Sequence, residues 1–478
     1  MVTVKAKPRI VIIGAGLGGA LLAIYLAKHG FCVDLYERRG DMREEPVERG
    51  RSINMTLATR GLNALASAGV LDEVMKNTIP LRGRMIHNVD GTRTFQPYGR
   101  NNREVIHSIK RKQLNCTLMD AAVRMPGVNL FFNKRCVSID KERGSLRVRD
   151  EVTGEEAEAQ ADFIVGADGA FSTVRQQMHR GLRAQYAQDF LEWGYKELAI
   201  PPAHDGSHQI ENDVLHIWPR GDQMLLAMPN ADGSFTCTCI LPFGGEAPNF
   251  SSEWTEDEVL GLFRKQFGDA IPLMPSLVED FKSNQTMVMV TTHTSPWYYK
   301  DRVVLIGDAC HAVVPFYGQG MNAAFEDCAL LSEKLAQSEG QNLEQVFREY
   351  QRERKPNTDA LAELSQQNFV ELRKKIKSPL FVARKKVDIA LNSLLPQMWV
   401  PLYTMMSHTT MPYAEAVRRF RKQSRVARLL GLDIVLLSVA GGAIVYDCVK
   451  RWGRKHRPEV PAPQMKMPPA VAPAELQD

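Results

Sequence analysis

The sequence predicts an α/β protein. A Rossmann-like dinucleotide-binding unit is assembled from separated segments, with an antiparallel β-sheet inserted between them. A C-terminal helical region then leads to a membrane-anchor helix. Three observations predict this arrangement. A strand, a glycine-rich turn and a helix open the chain in RIVIIGAGLGGALLAIYLAKHG. Two later strands each end in a Gly/Asp loop, in ADFIVGADG and RVVLIGDA. Between those loops the pattern changes to short strands with turn dipeptides, as in NDVLHIWPRGDQMLLAMPNADG.

The opening element is the most explicit. Gly14, Gly16 and Gly19 stand in GxGxxG spacing, with Gly18 between. The first glycine permits the tight turn, the second lets backbone approach a pyrophosphate, and the third lets helix pack on strand. The helix start offers N–H donors to phosphate. Glu37 ends the second strand, where a carboxylate meets an adenosine ribose hydroxyl. An acid there disfavours a 2′-phosphate, so the unit is expected to hold FAD or NAD rather than NADP.

The two later loops carry Asp168-Gly169 and Gly307-Asp308. The second belongs to GDACHAVVPFYGQGMN, which holds a histidine, His311. A nucleophile–base reading of His311 lacks a spaced partner, and a metal reading lacks a second ligand nearby in sequence. A hydrogen-bonded structural role is the expectation, for Glu326 and Asp327 as well. No metal site is expected.

Composition bounds the class. A chain of 478 residues can hold two or three structural units, and 24% charged with 44% hydrophobic residues is ordinary for a folded enzyme. A net charge of +5 is small for this length and argues against a nucleic-acid binder. Eight cysteines show no CxxC spacing. Cys237 and Cys239 alternate along a strand and suit packing, so a reduced compartment is expected. PRIVIIGAG enters a strand almost at once, so no secretory leader is expected.

The remaining elements follow in order. Gly221-Asp222 and Asp232-Gly233 read as turns of the inserted sheet, and SSEWTEDEVLGLFRKQF as a helix with Ser252 as N-cap. Near the C-terminus, LLGLDIVLLSVAGGAIVY is apolar except for Asp433, between RRFRKQSRVAR and KRWGRKHR. A span needs about 20 residues, and the run extended to 449 reaches that. A buried, docked helix is the alternative. The tail beyond is Pro-rich and expected to be disordered. The predicted nucleotide unit occupies 1–80, 102–180 and 298–355. The sheet domain occupies 81–101 and 181–297, the helical region 356–428, the anchor 429–449 and the tail 450–478.

The order GxGxxG, DG, GD, without a second GxGxxG for NAD(P)H, resembles the single-component FAD-dependent aromatic hydroxylases (group A). RGRSINMTL, RGRMIH, PYGR, SIKRKQLN, LHIWPR, VPFYGQGMN and PLYTMM together resemble the kynurenine 3-monooxygenase branch of that family, over residues 9–449. The resemblance implies FAD as cofactor, NADPH as co-substrate, and hydroxylation of L-kynurenine with O2 through a flavin C4a-hydroperoxide. It implies no catalytic side chain. Arg84, Tyr98, Asn368, Glu371, Tyr403, Phe316 and Tyr317 would bind substrate. Gly14, Gly16, Gly18, Gly19, Glu37, Arg38, Arg39, Thr56, Arg111, Cys136, Asp168, Asp308, Gly320, Met321 and Asn322 would bind FAD. Cys310 and Tyr317 depart from residues common in the family. A further implication is C-terminal anchoring in the mitochondrial outer membrane, with the catalytic part towards the cytosol. The alternatives are a hydroxylase of another anthranilate-like or phenolic acid, and a flavin-free prenyl-protein chaperone descended from an FAD fold.

Overall fold

The computed structural model describes residues 7–44, 53–99, 104–246, 248–251, 253–375, 388 and 391–429. The predicted anchor beyond Leu429, the tail and Ser252 lie outside these residues. Among the described residues, no helix is long and apolar enough to cross a membrane.

Strands Cys32–Tyr36, Arg9–Ile13, Phe163–Gly166 and Val303–Leu305 run parallel, side by side in that order. Val128–Phe131 extends the sheet parallel beyond the first, and Tyr298–Tyr299 closes it antiparallel beyond the last. Ile10, Val11, Ile12, Phe163, Ile164 and Val165 are all fully buried. Burial on both faces is why these strands read as continuous apolar runs. Helix Leu17–Lys28 packs on this sheet, and helix Gly320–Gln337 packs on that helix.

The second sheet has seven strands. In spatial order they are Met287–Ser295, Gln185–Ile200, Phe235–Pro242, Gln223–Pro229, Val214–Arg220, Gly83–His87 and Arg93–Pro97. It is not wholly antiparallel as expected: Val214–Arg220 and Gly83–His87 pair parallel, Val214 opposite Gly83. The Gly83–His87 strand arrives from the first part of the chain, so no hairpin sets its direction against Val214–Arg220. Side chains alternate between two cores. Trp218, Cys237, Cys239 and Leu241 face helices Glu256–Gln266 and Leu277–Ser283. Ile86, Ile217, Met224 and Ile240 face the other way, toward Phe316, Phe369 and Leu372.

Two element ends differ from expectation. The helix at Glu256–Gln266 is capped by Thr255, not Ser252, in a reciprocal capping box with Glu258. Helix Leu343–Val370 runs through Pro356, so the predicted boundary at 355/356 falls inside it. The helix survives the proline because Arg354, just before it, is anchored: its guanidinium donates to Asp327 at 2.6 Å, Glu326 at 2.9 Å and Ala323 O at 3.0 Å.

Beneath the helix-covered face runs a buried polar chain. His216 Nε2 donates to Glu211 O at 2.8 Å, which leaves Nδ1 to accept from His87 Nε2 at 2.9 Å. His87 Nδ1 meets Asp269 at 2.7 Å, and Trp218 Nε1 donates to the same carboxylate at 2.9 Å. Burial pushes the His216 pKa down to about 4. The unfolded chain therefore binds a proton at His216 that the folded chain refuses between about pH 6.5 and 4. Stability from this group is complete above that window and is lost as pH falls through it, on the order of 3 kcal/mol in all. Urea unfolding of wild type and His216→Asn across that range should show a steeper acid loss in wild type. Equal pH slopes would contradict this account.

Candidate active site

The carboxyl ends of the parallel strands carry the first group of predicted residues. Gly14, Glu37, Asp168 and Asp308 each stand just beyond one of the four strands. Ligands of open α/β sheets bind outside these ends, where strand order reverses. Here the reversal lies between Arg9–Ile13 and Phe163–Gly166.

Gly14 has φ +104°, and a Cβ there would sit 2.6 Å from Ala167 O. A Cβ on Gly19 would sit 1.9 Å from Gly14 O. Strand end, helix and Asp168 loop thus touch backbone to backbone. Gly16 faces open space, and the helix it precedes has no side-chain cap, so its first N–H groups are free for an anion. A Cβ on Gly18 would make only ordinary contact, 3.7 Å from Ile306 Cδ1. Glu37 is buried. One oxygen accepts from Ala15 N at 3.1 Å, and the other from Arg39 N at 3.1 Å and Nε at 2.9 Å. Arg38 and Arg39 are exposed.

The two aspartates play different parts. Asp308 is exposed and has no hydrogen-bond partner among the described residues. The Asp168 carboxylate accepts from Ser172 Oγ, Thr173 N at 2.7 Å and Val174 N at 3.1 Å, tying up its own loop. Burial pushes the Asp168 pKa up against those bonds. Its part at the site is to shape that loop, with the backbone left to face a ligand. Sequence reasoning missed Arg175. This buried guanidinium donates to Ala170 O and Ala309 O, both at 2.7 Å, and so fastens the two Asp loops together.

A third loop completes this side. Thr56 Oγ1 donates to Gly318 O at 2.9 Å. Asn322 Nδ2 donates to Thr56 O at 2.9 Å and Gly318 O at 3.0 Å, and its Oδ1 accepts from Ala58 N at 2.9 Å. The Asn322 side chain is therefore a staple. What Gly320, Met321 and Asn322 offer a ligand is backbone, in the uncapped first turn of an 18-residue helix. Cys136 is buried. Burial, then the charge of Asp168, pushes its thiol up to about 12, so it stays uncharged. Arg111 is exposed at the start of helix Arg111–Val123, and its charge reaches Tyr195 of the seven-stranded sheet.

His311 is structural. Its Nε2 meets Asp327 at 2.5 Å, and the same carboxylate accepts from Gly307 N at 3.1 Å and from Arg354. Cys310, His311 and Asp327 lie close enough to hold a metal ion, a proximity the sequence did not reveal. Arg354 already supplies the positive charge such an ion would bring.

The second predicted group also comes together. Arg84 is buried, with its guanidinium carbon 5.3 Å from the Tyr98 ring centre and 5.4 Å from that of Tyr403. Those two rings stack at 4.8 Å, and Tyr317 lies 6.1 Å from Tyr403. Burial works against the Arg84 cation, yet the surrounding tyrosine hydroxyls leave its pKa raised. Arg84 pairs with no described carboxylate, and its Nε is buried without a hydrogen-bond partner. Asn368 Nδ2 donates to Phe316 O at 2.6 Å, and Phe316 packs 4.4 Å from Phe369. Burial, with Glu371's charge adding, holds the Tyr317 hydroxyl protonated. The apolar bed beside this group was also missed: Leu215, Met224, Leu226 and Ile240, with Tyr195. Alternation in LHIWPR and QMLLAMP was the available signal.

A cleft of about 1930 Å³ lies elsewhere, at the amino ends of the parallel strands beside Pro8, Asp162 and Arg302. Strand topology, not cleft size, locates the site.

The family model for the FAD binding domain matches residues 7–365. The kynurenine 3-monooxygenase of Salinispora arenicola (strain CNS-205) is 45% identical over 454 residues, 95% of this chain and 99% of that protein. That of Dictyostelium discoideum is 40% identical over 421 residues, 86% of this chain and 90% of that one. Among solved structures, 2-methyl-3-hydroxypyridine-5-carboxylic acid oxygenase superposes with a TM-score of 0.64 at 24% identity, covering 80% of this chain and 96% of that one. PqsL of P. aeruginosa, in complex with 2-aminobenzoylacetate, gives 0.62 at 20%, covering 77% and 97%.

The donor set fits FAD: two uncapped helix starts for negative charge, Glu37 and Asp308 for hydroxyls, and open space at Gly16. Loss of one charged hydrogen bond costs about 1.5–3 kcal/mol. Asp308→Ala should therefore weaken FAD binding roughly tenfold or more, read as visible absorbance per chain after gel filtration. Full flavin retention would remove Asp308 from the cofactor site.

Proposed function

Because the chain belongs to the FAD-binding-domain family and, within it, to the kynurenine 3-monooxygenases, we propose that it hydroxylates L-kynurenine at the ring carbon ortho to the amino group, using NADPH and O2. It is an FAD-dependent monooxygenase. Bound FAD supplies the redox chemistry, taking electrons from NADPH and activating oxygen. Residues from Gly14 to Gly19, Glu37, Arg39, Thr56, Arg111, Cys136, Asp308 and the Gly320–Asn322 backbone would hold it.

The observation that carries the substrate reading is Arg84. A buried guanidinium without a carboxylate is costly, and a substrate carboxylate would supply the missing charge and acceptor. Arginine presents a planar fork that matches it. Tyr98 and Tyr403 hold that fork between ring faces. Glu371 and the Oδ1 of Asn368 would receive the α-ammonium. Ile86, Ile217, Met224, Ile240 and Phe316 offer the aromatic ring an apolar, water-excluding bed. The ring amine already donates electrons to the reacting carbon, so no side-chain base is assigned. The start of helix Gly320–Gln337 favours negative charge beside it. Intact DG and GD loops argue against the flavin-free chaperone alternative.

Incubation with kynurenine, NADPH and O2 should give a product one oxygen atom heavier, matching 3-hydroxykynurenine in retention. Arg84→Ala should raise the kynurenine KM by about a hundredfold, from the loss of roughly 3 kcal/mol of charged pairing, with FAD still bound. Arg84→Lys should not restore it. Normal kynurenine kinetics in Arg84→Ala would sink the assignment.

We also propose that residues 429–449 anchor the chain in the mitochondrial outer membrane, with the catalytic part towards the cytosol. The apolar run between two basic segments supports this. A chain ending before Arg428 should move to the soluble fraction. Full membrane retention would contradict the anchor.

A further inference from the structure

One largely covered cation beside the apolar bed has no part in the site described above. Arg373 lies in the π-helical turn Glu371–Lys375 that continues helix Leu343–Val370. Its side chain is 11% exposed. The guanidinium carbon sits 4.0 Å from the Trp193 ring centre and 5.4 Å from that of Phe369. One nitrogen is 3.3 Å from Asp222 Oδ1, and Nε is buried without a hydrogen-bond partner. Trp193 Nε1 donates to Asp222 O at 3.0 Å.

Each of the three pieces joined here carries pocket residues. Asp222 is the turn between the strands bearing Leu215 and Leu226. Trp193 lies where the pairing of strand Gln185–Ile200 with its edge neighbour shifts register, between Phe190 and Gly194, two residues before Tyr195. The helix end carries Asn368, Phe369, Glu371 and Leu372. A methionine would fill the same volume without the cost of burying a charge, so packing alone does not account for an arginine. A positive charge over ring faces, tied to one carboxylate, instead fixes three segments at defined distances. π-Turns in long helices concentrate at functional sites.

We propose that Arg373 is a positioning residue for the hydroxylation. It clamps the π-turn to the hairpin and to the irregular strand, sets Asn368 and Glu371 against the amino-acid end of the substrate, and keeps water from the ring's bed. The role in turnover rests on the kynurenine reading; the clamp does not.

The test compares flavin-loaded, full-length wild type, Arg373→Met and Arg373→Lys at equal flavin content. Arg373→Met should raise the kynurenine KM about tenfold with kcat changed by less than about threefold. It should also raise peroxide formed per NADPH consumed, by NADPH + H⁺ + O2 → NADP⁺ + H2O2. Arg373→Lys, which keeps the charge, should recover at least half of the lost affinity. Unchanged KM and peroxide yield in Arg373→Met would overturn the proposal, as would a failure of lysine to rescue. Should Arg373→Met not fold, Asp222→Asn, altered at an exposed partner, should raise KM about twofold to threefold, and no change would overturn it. Acrylamide quenching of tryptophan fluorescence needs no substrate. It should be stronger in Arg373→Met than in wild type, with the difference absent in a Trp193→Phe background. Equal quenching would overturn the clamp. A quenching difference in a protein that leaves kynurenine unchanged would uphold the clamp and overturn the substrate reading.

Discussion

The buried carboxylate of Asp327 is the point on which the site hangs. One oxygen takes Gly307 N and His311, the other takes Arg354. Gly307 sits at φ +57°, ψ −139°, and this anchor holds the loop so that Asp308 turns outward. Arg354 passes the connection to Glu326, and Glu326 to Arg60 at 2.7 Å. Arg60 lies 4.0 Å from the Tyr413 ring and donates to Met411 O. One continuous set of charges thus fixes the cofactor loop, the helix that bears Asn368, and the C-terminal helix. Two acids balance two arginines, with His311 hydrogen-bonded to one of the acids. Removing Glu326 would leave the buried Arg60 without its acid, and removing Arg354 would leave the buried Asp327 without its arginine, the costly case.

The substrate side is built on the opposite principle. Arg84 is left short of an acid, and the deficit is what a ligand would satisfy. Aromatic faces rather than carboxylates hold its guanidinium, so the cation stays available. The two regions meet at the turn Pro315–Tyr317. Phe316 belongs to the apolar bed, Tyr317 to the ring cluster around Arg84, and Gly318, just beyond, to the Thr56–Asn322 staple.

Legibility in the sequence divides along physical lines. Local backbone requirements were readable: Gly14 and Gly19 must be glycine because backbone meets backbone there. So was alternation, which put Cys237 and Cys239 on one core-facing side. Pairings set by distant segments were not. The parallel match of Gly83–His87 with Val214–Arg220 has no local sign, nor does the reach of Arg175 to Ala309. The boundary expected at 355/356 falls inside a helix that continues through Pro356, held by ion pairs from Arg354 to another helix. For Asp168 the motif was silent about the side chain, whose hydrogen bonds among the described residues stay within its own loop. The residues proposed for substrate emerged through resemblance; composition and periodicity alone did not mark Arg84 as unusual, since its missing partner is a fact of three dimensions.

The parallel pairing in the seven-stranded sheet also bears on synthesis. The strand carrying Arg84 leaves the ribosome well over a hundred residues before its partner, Val214–Arg220. Closing so long a loop is entropically tolerable once the chain exists, because the cost grows only with the logarithm of length. Until then Gly83–His87 has only its hairpin mate, Arg93–Pro97, and one unpaired edge. Nascent chains thus pass through a stage with an open β edge and an unburied Ile86, the kind of surface that engages chaperones or neighbouring chains. The strand that carries Arg84 thus waits for a neighbour made well over a hundred residues later, where a hairpin strand would wait only a few.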